Sequence, residues 1–136
     1  MTGPSVHLEV LSQDECWALL RSHPHQIGRI AFAADERILV LPLNYRIHEG
    51  GVAFRTEAGS PIDALADGQT VSFQIDSVDP TWQEGWSVLM EGRVAEVTDE
   101  AQRRALAALP LRSWAPGNRE RAYRIEPIRV TGRRIV

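Results

Sequence analysis

The sequence predicts a mainly β fold of the α+β class: a six-stranded antiparallel β-barrel with flanking helices. Six β-like runs stand in 136 residues beside only a few helical ones. Short connections between consecutive runs suit antiparallel pairing rather than the long crossovers of βαβ units. A curled sheet with helices at its ends or sides accommodates that inventory. No internal repeat, low-complexity tract or linker divides the chain, so residues 1–136 read as one domain.

Ser12 and Glu15 form a capping-box pattern that opens a helix over Gln13–Ser22. Cys16, Leu19 and Leu20 make its apolar stripe, with Val10 or Leu11 as a staple. Pro24 stops it, because the residue before a proline is pushed out of the α region. Ile27–Ala34 is the first strand, 35–37 a short turn, and 38–47 the second strand. That strand ends at His48-Glu49-Gly50-Gly51, whose glycines suit a tight hairpin. The third strand, Gly51–Glu57, breaks at Ala58-Gly59-Ser60-Pro61. Ser60 caps a short helix over 61–66, with proline at its favoured first position. The fourth strand is 70–77. The fifth is 86–97, with Gly92 where a bend or bulge falls. Thr98 or Asp99 caps a helix that runs to Leu109, and Pro110 ends it. A loop over 110–119 carries Trp114. The sixth strand, 122–135, is interrupted near Pro127 and at Gly132.

Composition narrows the chemistry. No run approaches the ~18 apolar residues of a membrane span, and the first residues lack the basic start and apolar core of a secretory signal. With Cys16 as the single cysteine, no intramolecular disulfide forms, and a reducing cytoplasm is the expected home. A net charge of −3 argues against a nucleic-acid partner. The pairs Arg103-Arg104 and Arg133-Arg134 read as solvated surface. All 15 cationic side chains other than histidine are arginine, which closes any mechanism through a lysine Schiff base.

Three strand-like runs carry polar, cationic and aromatic groups where a plain core strand carries Val or Ile. They are Leu41-Pro42-Leu43-Asn44-Tyr45-Arg46, Val52-Ala53-Phe54-Arg55-Thr56-Glu57, and Gly85-Trp86-Ser87-Val88. An Arg-Thr pair closing a strand, followed by Gly59-Ser60, suggests a phosphate seat beside a platform for a flat ring. Spacing alone favours Arg55 as an exposed arginine paired with Glu57 or a cross-strand carboxylate. Pro42 marks an edge or bulge, whose bare amides and carbonyls either meet a heterocycle or stay ligand-free. Trp82, Trp86 and Trp114 either pack or cover a ring; Trp86 is the preferred ring neighbour, Trp114 a lid or dimer contact. His23 and His25 lack further ligands with metal spacing, so no metal is expected. Cys16 reads as a buried helix residue, and Asp63, Asp67, Asp76 and Asp79 form no carboxylate pair.

Gly28-Arg29-Ile30-Ala31-Phe32, Leu41-Pro42-Leu43-Asn44-Tyr45 and Phe54-Arg55-Thr56 occur in this order. Gly85-Trp86-Ser87-Val88, Trp114-Ala115-Pro116-Gly117 and the run from Ile125 to Arg133 follow. Together they resemble the split-barrel flavoproteins related to pyridoxamine 5′-phosphate oxidase, and within them the small nitroimidazole-resistance-like branch. The resemblance implies a six-stranded split barrel and a homodimer with a flavin at each of two equivalent interface sites. The implied cofactor is FMN, with the deazaflavin F420 as the alternative; some relatives bind haem or nothing. The implied contacts are Pro42, Leu43, Asn44, Tyr45, Arg55, Thr56, Ser60, Pro61, Trp86 and Ser87. The implied activity is a flavin-dependent oxidoreductase passing hydride to or from a small-molecule substrate, with no side chain assigned as acid, base or nucleophile. An F420-dependent reductase with Arg112, Arg119 and Arg121 as an anion-binding rim is one alternative. A flavin- or haem-binding sensor without turnover is another. Pro61 stands where the branch often has lysine, which removes a phosphate contact of about 1.5–3 kcal/mol.

Overall fold

A computed structural model of the chain describes residues 7–23, 26–110 and 120–135. The strands are β1 (Leu8–Val10), β2 (Ile27–Ala34), β3 (Arg37–Asn44), β4 (Arg46–His48), β5 (Gly51–Glu57), β6 (Thr70–Asp79), β7 (Glu84–Glu96) and β8 (Glu120–Ile135). The helices are α1 (Gln13–Ser22), α2 (Glu100–Ala107) and a 3-10 helix (Pro61–Ala64). The strands form one antiparallel sheet in the order β3-β2-β6-β7-β8-β5-β4, and β1 pairs with β8. Burial alternates along it: Val71, Phe73 and Ile75 on β6, and Val88 and Met90 on β7, all point inward. A sheet with one buried face curls around its own side chains. The Phe54 and Tyr123 rings stack at 5.4 Å inside, and Tyr45 meets Phe73 edge-on at 5.0 Å.

The fold class stands as expected, but the described residues form eight strands rather than six. β1 leaves no periodic signal in the sequence because it is three residues long and exposed, and it pairs with the end of β8. The expected strand over 38–47 divides at Tyr45, where the chain leaves β2 and turns to pair with β5. Tyr45 is fully buried at that corner, and its hydroxyl donates to the Leu20 carbonyl at 2.7 Å. Leu11, not Val10, packs under α1; Val10 is exposed.

The β2–β3 turn uses Asp35 and Glu36, both with positive φ (50° and 61°), as a two-residue hairpin needs. β8 is continuous across Pro127 and Gly132. The register with β7 slips between Glu91 and Gly92, which sets Gly92 opposite Pro127. The bulge lets a residue without an N–H sit inside a long strand. At Gly132 a Cβ would stand 2.7 Å from Cys16 Sγ, so this glycine lets α1 lie flat on β8. Asp99 rather than Thr98 caps α2, accepting from Gln102 N at 3.0 Å, and α2 ends at Ala107. Its Leu106 covers Ala53 and Ala122 on the outer side of β5 and β8. Pro24, His25 and the loop with Arg112, Trp114 and Arg119 lie outside the described residues.

Candidate binding site at the split in the barrel

β5 keeps β8 along Val52–Glu57 but has β4 only along Gly51–Ala53. β3 has β2 on one side and, among the described residues, no strand on the other. The β4–β5 register, which pairs Arg46 with Ala53, sets Leu43 and Pro42 opposite Thr56 and Glu57 when carried onward. No ladder joins them there, and this gap is the split. β3 pairs with β2 without a register shift, so Pro42 marks an edge and not a bulge. Pro42 is exposed and Asn44 half-buried on the outer side. Leu43 and Tyr45 point into the core, so their side chains build the wall and only their backbone is left at the gap.

Across the gap, the turn after β5 departs from its expected chemistry. The expected helix over 61–66 is a single 3-10 turn, and the Ser60 hydroxyl does not cap it. The turn is closed by backbone instead, with Asp63 N donating to Ser60 O at 3.0 Å. Gly59, at φ 92°, donates its N–H to Asp63 Oδ2 at 2.5 Å. Thr56 Oγ1 and Ser60 Oγ are thereby left buried with no hydrogen-bond partner among the described residues. Two buried hydroxyls without partners carry a desolvation cost that a phosphate oxygen would remove.

A relay that the sequence did not reveal holds this turn. Arg121 donates to Asp63 Oδ1 at 3.1 Å and lies 3.7 Å from Glu96 Oε1. Burial pushes the Tyr123 phenol up, against the pull of the Arg121 guanidinium hydrogen-bonded to it, so the phenol stays neutral near pH 7. Asp63 thus links the Gly59 amide to β8 and β7, a contact between residues 58 positions apart that no local motif signals. Asp63→Ala should free the Gly59 amide and cost the turn about 1 kcal/mol, roughly fivefold faster hydrogen exchange at Gly59. Unchanged exchange there would remove Asp63 from this role.

Arg55 and Thr56 are neighbours on a strand and face opposite sides. Arg55 therefore points away from the Thr56 side, into a cleft of about 290 Å³ with Arg103 and Arg104; Arg121, opposite Thr56 in the ladder, borders that cleft but its guanidinium is tied to Asp63. Pro61 is exposed at the start of the 3-10 turn. Trp86 is half-buried against the core, with its ring 5.6 Å from that of His23. Ser87 faces outward in a groove of about 410 Å³ with Arg29, Gln74, Thr131 and Arg133. Thr56 pairs with Arg121 and Ser87 with Arg133, twelve residues along β8, about 40 Å of strand contour. One chain thus gathers 42–44, Thr56, Ser60 and Pro61 at the split, while Ser87 lies in an outer groove that it shares with Val40 and with Arg29, the ladder partner of Pro42. Trp82 is 72% exposed. Cys16 is buried, which pushes its thiol up and keeps it unreactive. Among the described residues no three His, Cys, Asp or Glu side chains are placed to hold a metal ion, and no helix is long and apolar enough to cross a membrane.

The family described as pyridoxamine 5′-phosphate oxidase matches residues 12–134. The chain belongs to the pyridoxamine 5′-phosphate oxidase family. An uncharacterized protein of Mycobacterium tuberculosis is 34% identical over 131 residues, spanning 93% of this chain and 84% of that protein. The structure of an FAD-binding protein from Mycobacterium smegmatis is similar at 33% identity and a TM-score of 0.77, covering 93% of this chain and 98% of that one. A protein from Bacteroides thetaiotaomicron described as a 5-nitroimidazole antibiotic resistance protein shares the fold at 10% identity, with a TM-score of 0.74 over 99% and 95% of the two chains. Split barrels of the pyridoxamine 5′-phosphate oxidase family are therefore its structural kin, although a shared fold leaves the reaction open.

Proposed function

We propose that this chain is a flavin-dependent oxidoreductase holding the riboflavin-phosphate unit at the split, between β3 and the turn after β5. The carrying observation is the pair of buried hydroxyls, Thr56 Oγ1 and Ser60 Oγ, that the fold leaves without partners. The FAD-binding relative at 33% identity supports a flavin over other flat rings. Thr56 and Ser60 hold the phosphate. The bare edge of β3 at Pro42–Asn44 offers backbone amides and carbonyls to the ring, with Leu43 and Tyr45 stiffening that edge from inside. When bound, the flavin supplies hydride transfer, and the protein supplies position and water exclusion.

The active unit is a homodimer. The outer side of the sheet exposes Ile38 (79%), Val40 (59%) and Leu89 (36%), an apolar patch of the kind a second copy covers. The groove that holds Ser87 belongs to the same face, lined also by Val40 and Leu89, so a second copy seated there closes over it. The purified protein should show flavin absorption near 450 nm or, as apoprotein, quench added FMN saturably, and should sediment as a dimer. It should then oxidise a nicotinamide donor over many turnovers with an added acceptor. Absence of any flavin binding would overturn the site; binding without turnover would leave a flavin-binding module and remove the enzyme.

A further inference from the structure

A groove of about 490 Å³ opens between the C-terminal end of α1 and β4, with Arg21, His23, Gln26 and Arg46 among its walls. It begins where the β2–β3 ladder ends. Ile27 pairs with Asn44 in the last rung; beyond it Tyr45 N donates to Gln26 O at 2.9 Å, and Arg46 follows. The groove therefore continues the bare Pro42–Asn44 edge, with Arg46 two residues past Asn44, about 7 Å of strand contour. A last-turn arginine ordinarily offsets the helix dipole and bonds the final carbonyls. At the end of α1 those carbonyls have other donors. His23 N meets Leu19 O at 3.0 Å, the Tyr45 hydroxyl meets Leu20 O at 2.7 Å, and Gln26 Nε2 meets Arg21 O at 3.1 Å and His23 O at 2.8 Å. Gln26 reaches them from a left-handed backbone, φ 47°, which a residue with a Cβ adopts at a cost.

Both arginines thus keep donors for something else. The Arg21 guanidinium lies over the Trp17 ring at 5.5 Å, and Arg46 gives one N–H to Tyr45 O at 3.1 Å, out of five on each fork. Among the described residues neither forms an ion pair with Asp or Glu. No described Asp or Glu lines the groove, and Pro24 and His25, which complete the sequence from Arg21 to Gln26, carry no carboxylate. Two permanent cations around one groove focus a positive potential there, and their planar forks match the oxygens of a carboxylate or phosphate. We propose that this groove seats the anionic group, carboxylate or phosphate, of a substrate whose reacting end lies against the ring at Pro42–Asn44. Arg21 and Arg46 are then the residues that set substrate specificity, an assignment that rests on the flavin reading above.

The test titrates wild type and the Arg21→Gln/Arg46→Gln variant with benzoate, phenyl phosphate and the neutral benzamide, by calorimetry at fixed ionic strength, with and without saturating FMN. Circular dichroism and the FMN affinity check that the variant is folded. Wild type should bind one or both anions about tenfold or more tighter than benzamide, and the variant should lose that margin. Which anion binds tells carboxylate from phosphate. In the FMN-loaded protein the bound anion should also shift the flavin absorption band, because the groove adjoins the ring. Benzamide binding as well as the anions, or unchanged anion affinity in the variant, would overturn the site. FMN bound with neither anion would overturn it too and leave the flavin reading standing. Anion binding with no spectral shift would remove its role in placing substrate. Anion binding that the variant loses, in a protein that takes up no FMN, would sink the flavin reading and retain the groove as an anion site.

Discussion

Tyr45→Ala is expected to destabilise the fold by about 3–5 kcal/mol, the range for deleting a large buried aromatic. The ring has no accessible surface and packs edge-on against Phe73. Its hydroxyl performs a second task. The Leu20 carbonyl lies near the end of α1, where helical acceptors run out of donors, and the residue four positions on is Pro24, which has no N–H. The Tyr45 hydroxyl fills that vacancy at 2.7 Å. Burial pushes the phenol up, so it remains a protonated donor at any working pH. Tyr45→Phe should therefore keep the packing and cost about 1–3 kcal/mol for the abandoned carbonyl. Urea unfolding measures both. A flavin titration on Tyr45→Phe should match wild type, because the phenol faces the core. A large loss of flavin affinity with unchanged stability would return Tyr45 to the binding surface.

Thr56→Val with Ser60→Ala should move stability and affinity in opposite directions. In the free protein both hydroxyls are buried without partners, so replacing them by apolar groups should leave unfolding free energy unchanged or raise it. In the complex they donate to an ionised phosphate, and their loss should weaken FMN by about 1.5–3 kcal/mol, roughly 10- to 150-fold. Fluorescence titration and urea unfolding on the same preparation read both quantities. Lower stability at unaltered affinity would mean that the fold, not a ligand, uses these hydroxyls.

Local chemistry made much of the fold legible. The capping box, Pro24 and the stripe of Cys16 and Leu20 delimit α1 through interactions within a few residues, and both ends fall where expected. β2 and β5 were equally readable, as was the irregularity at Gly92. β1 was not, since three exposed residues carry no periodicity and exist as a strand only because β8 passes beside them. Ser60 departs from its expected capping role for a related reason: a serine before a proline is a good cap in isolation. The Gly59–Asp63–Arg121 relay closes the turn another way and frees the hydroxyl.

The candidate site divides along the same line. By itself the sequence determined the antiparallel barrel, the family resemblance, the polar residues along 42–45 and 55–61, and the exclusion of lysine chemistry. These follow from residue types, short spacings and order, which a linear reading contains. Only the tertiary structure decided which side chains meet. The pleat sends Arg55 and Thr56 to opposite sides, the register of β7 on β8 sets Ser87 in an outer groove beside Val40, and packing of α2 turns the Arg103-Arg104 pair, expected as solvated surface, into the wall of a cleft with Arg55. Strand parity and partner choice are set by burial summed over the whole sheet.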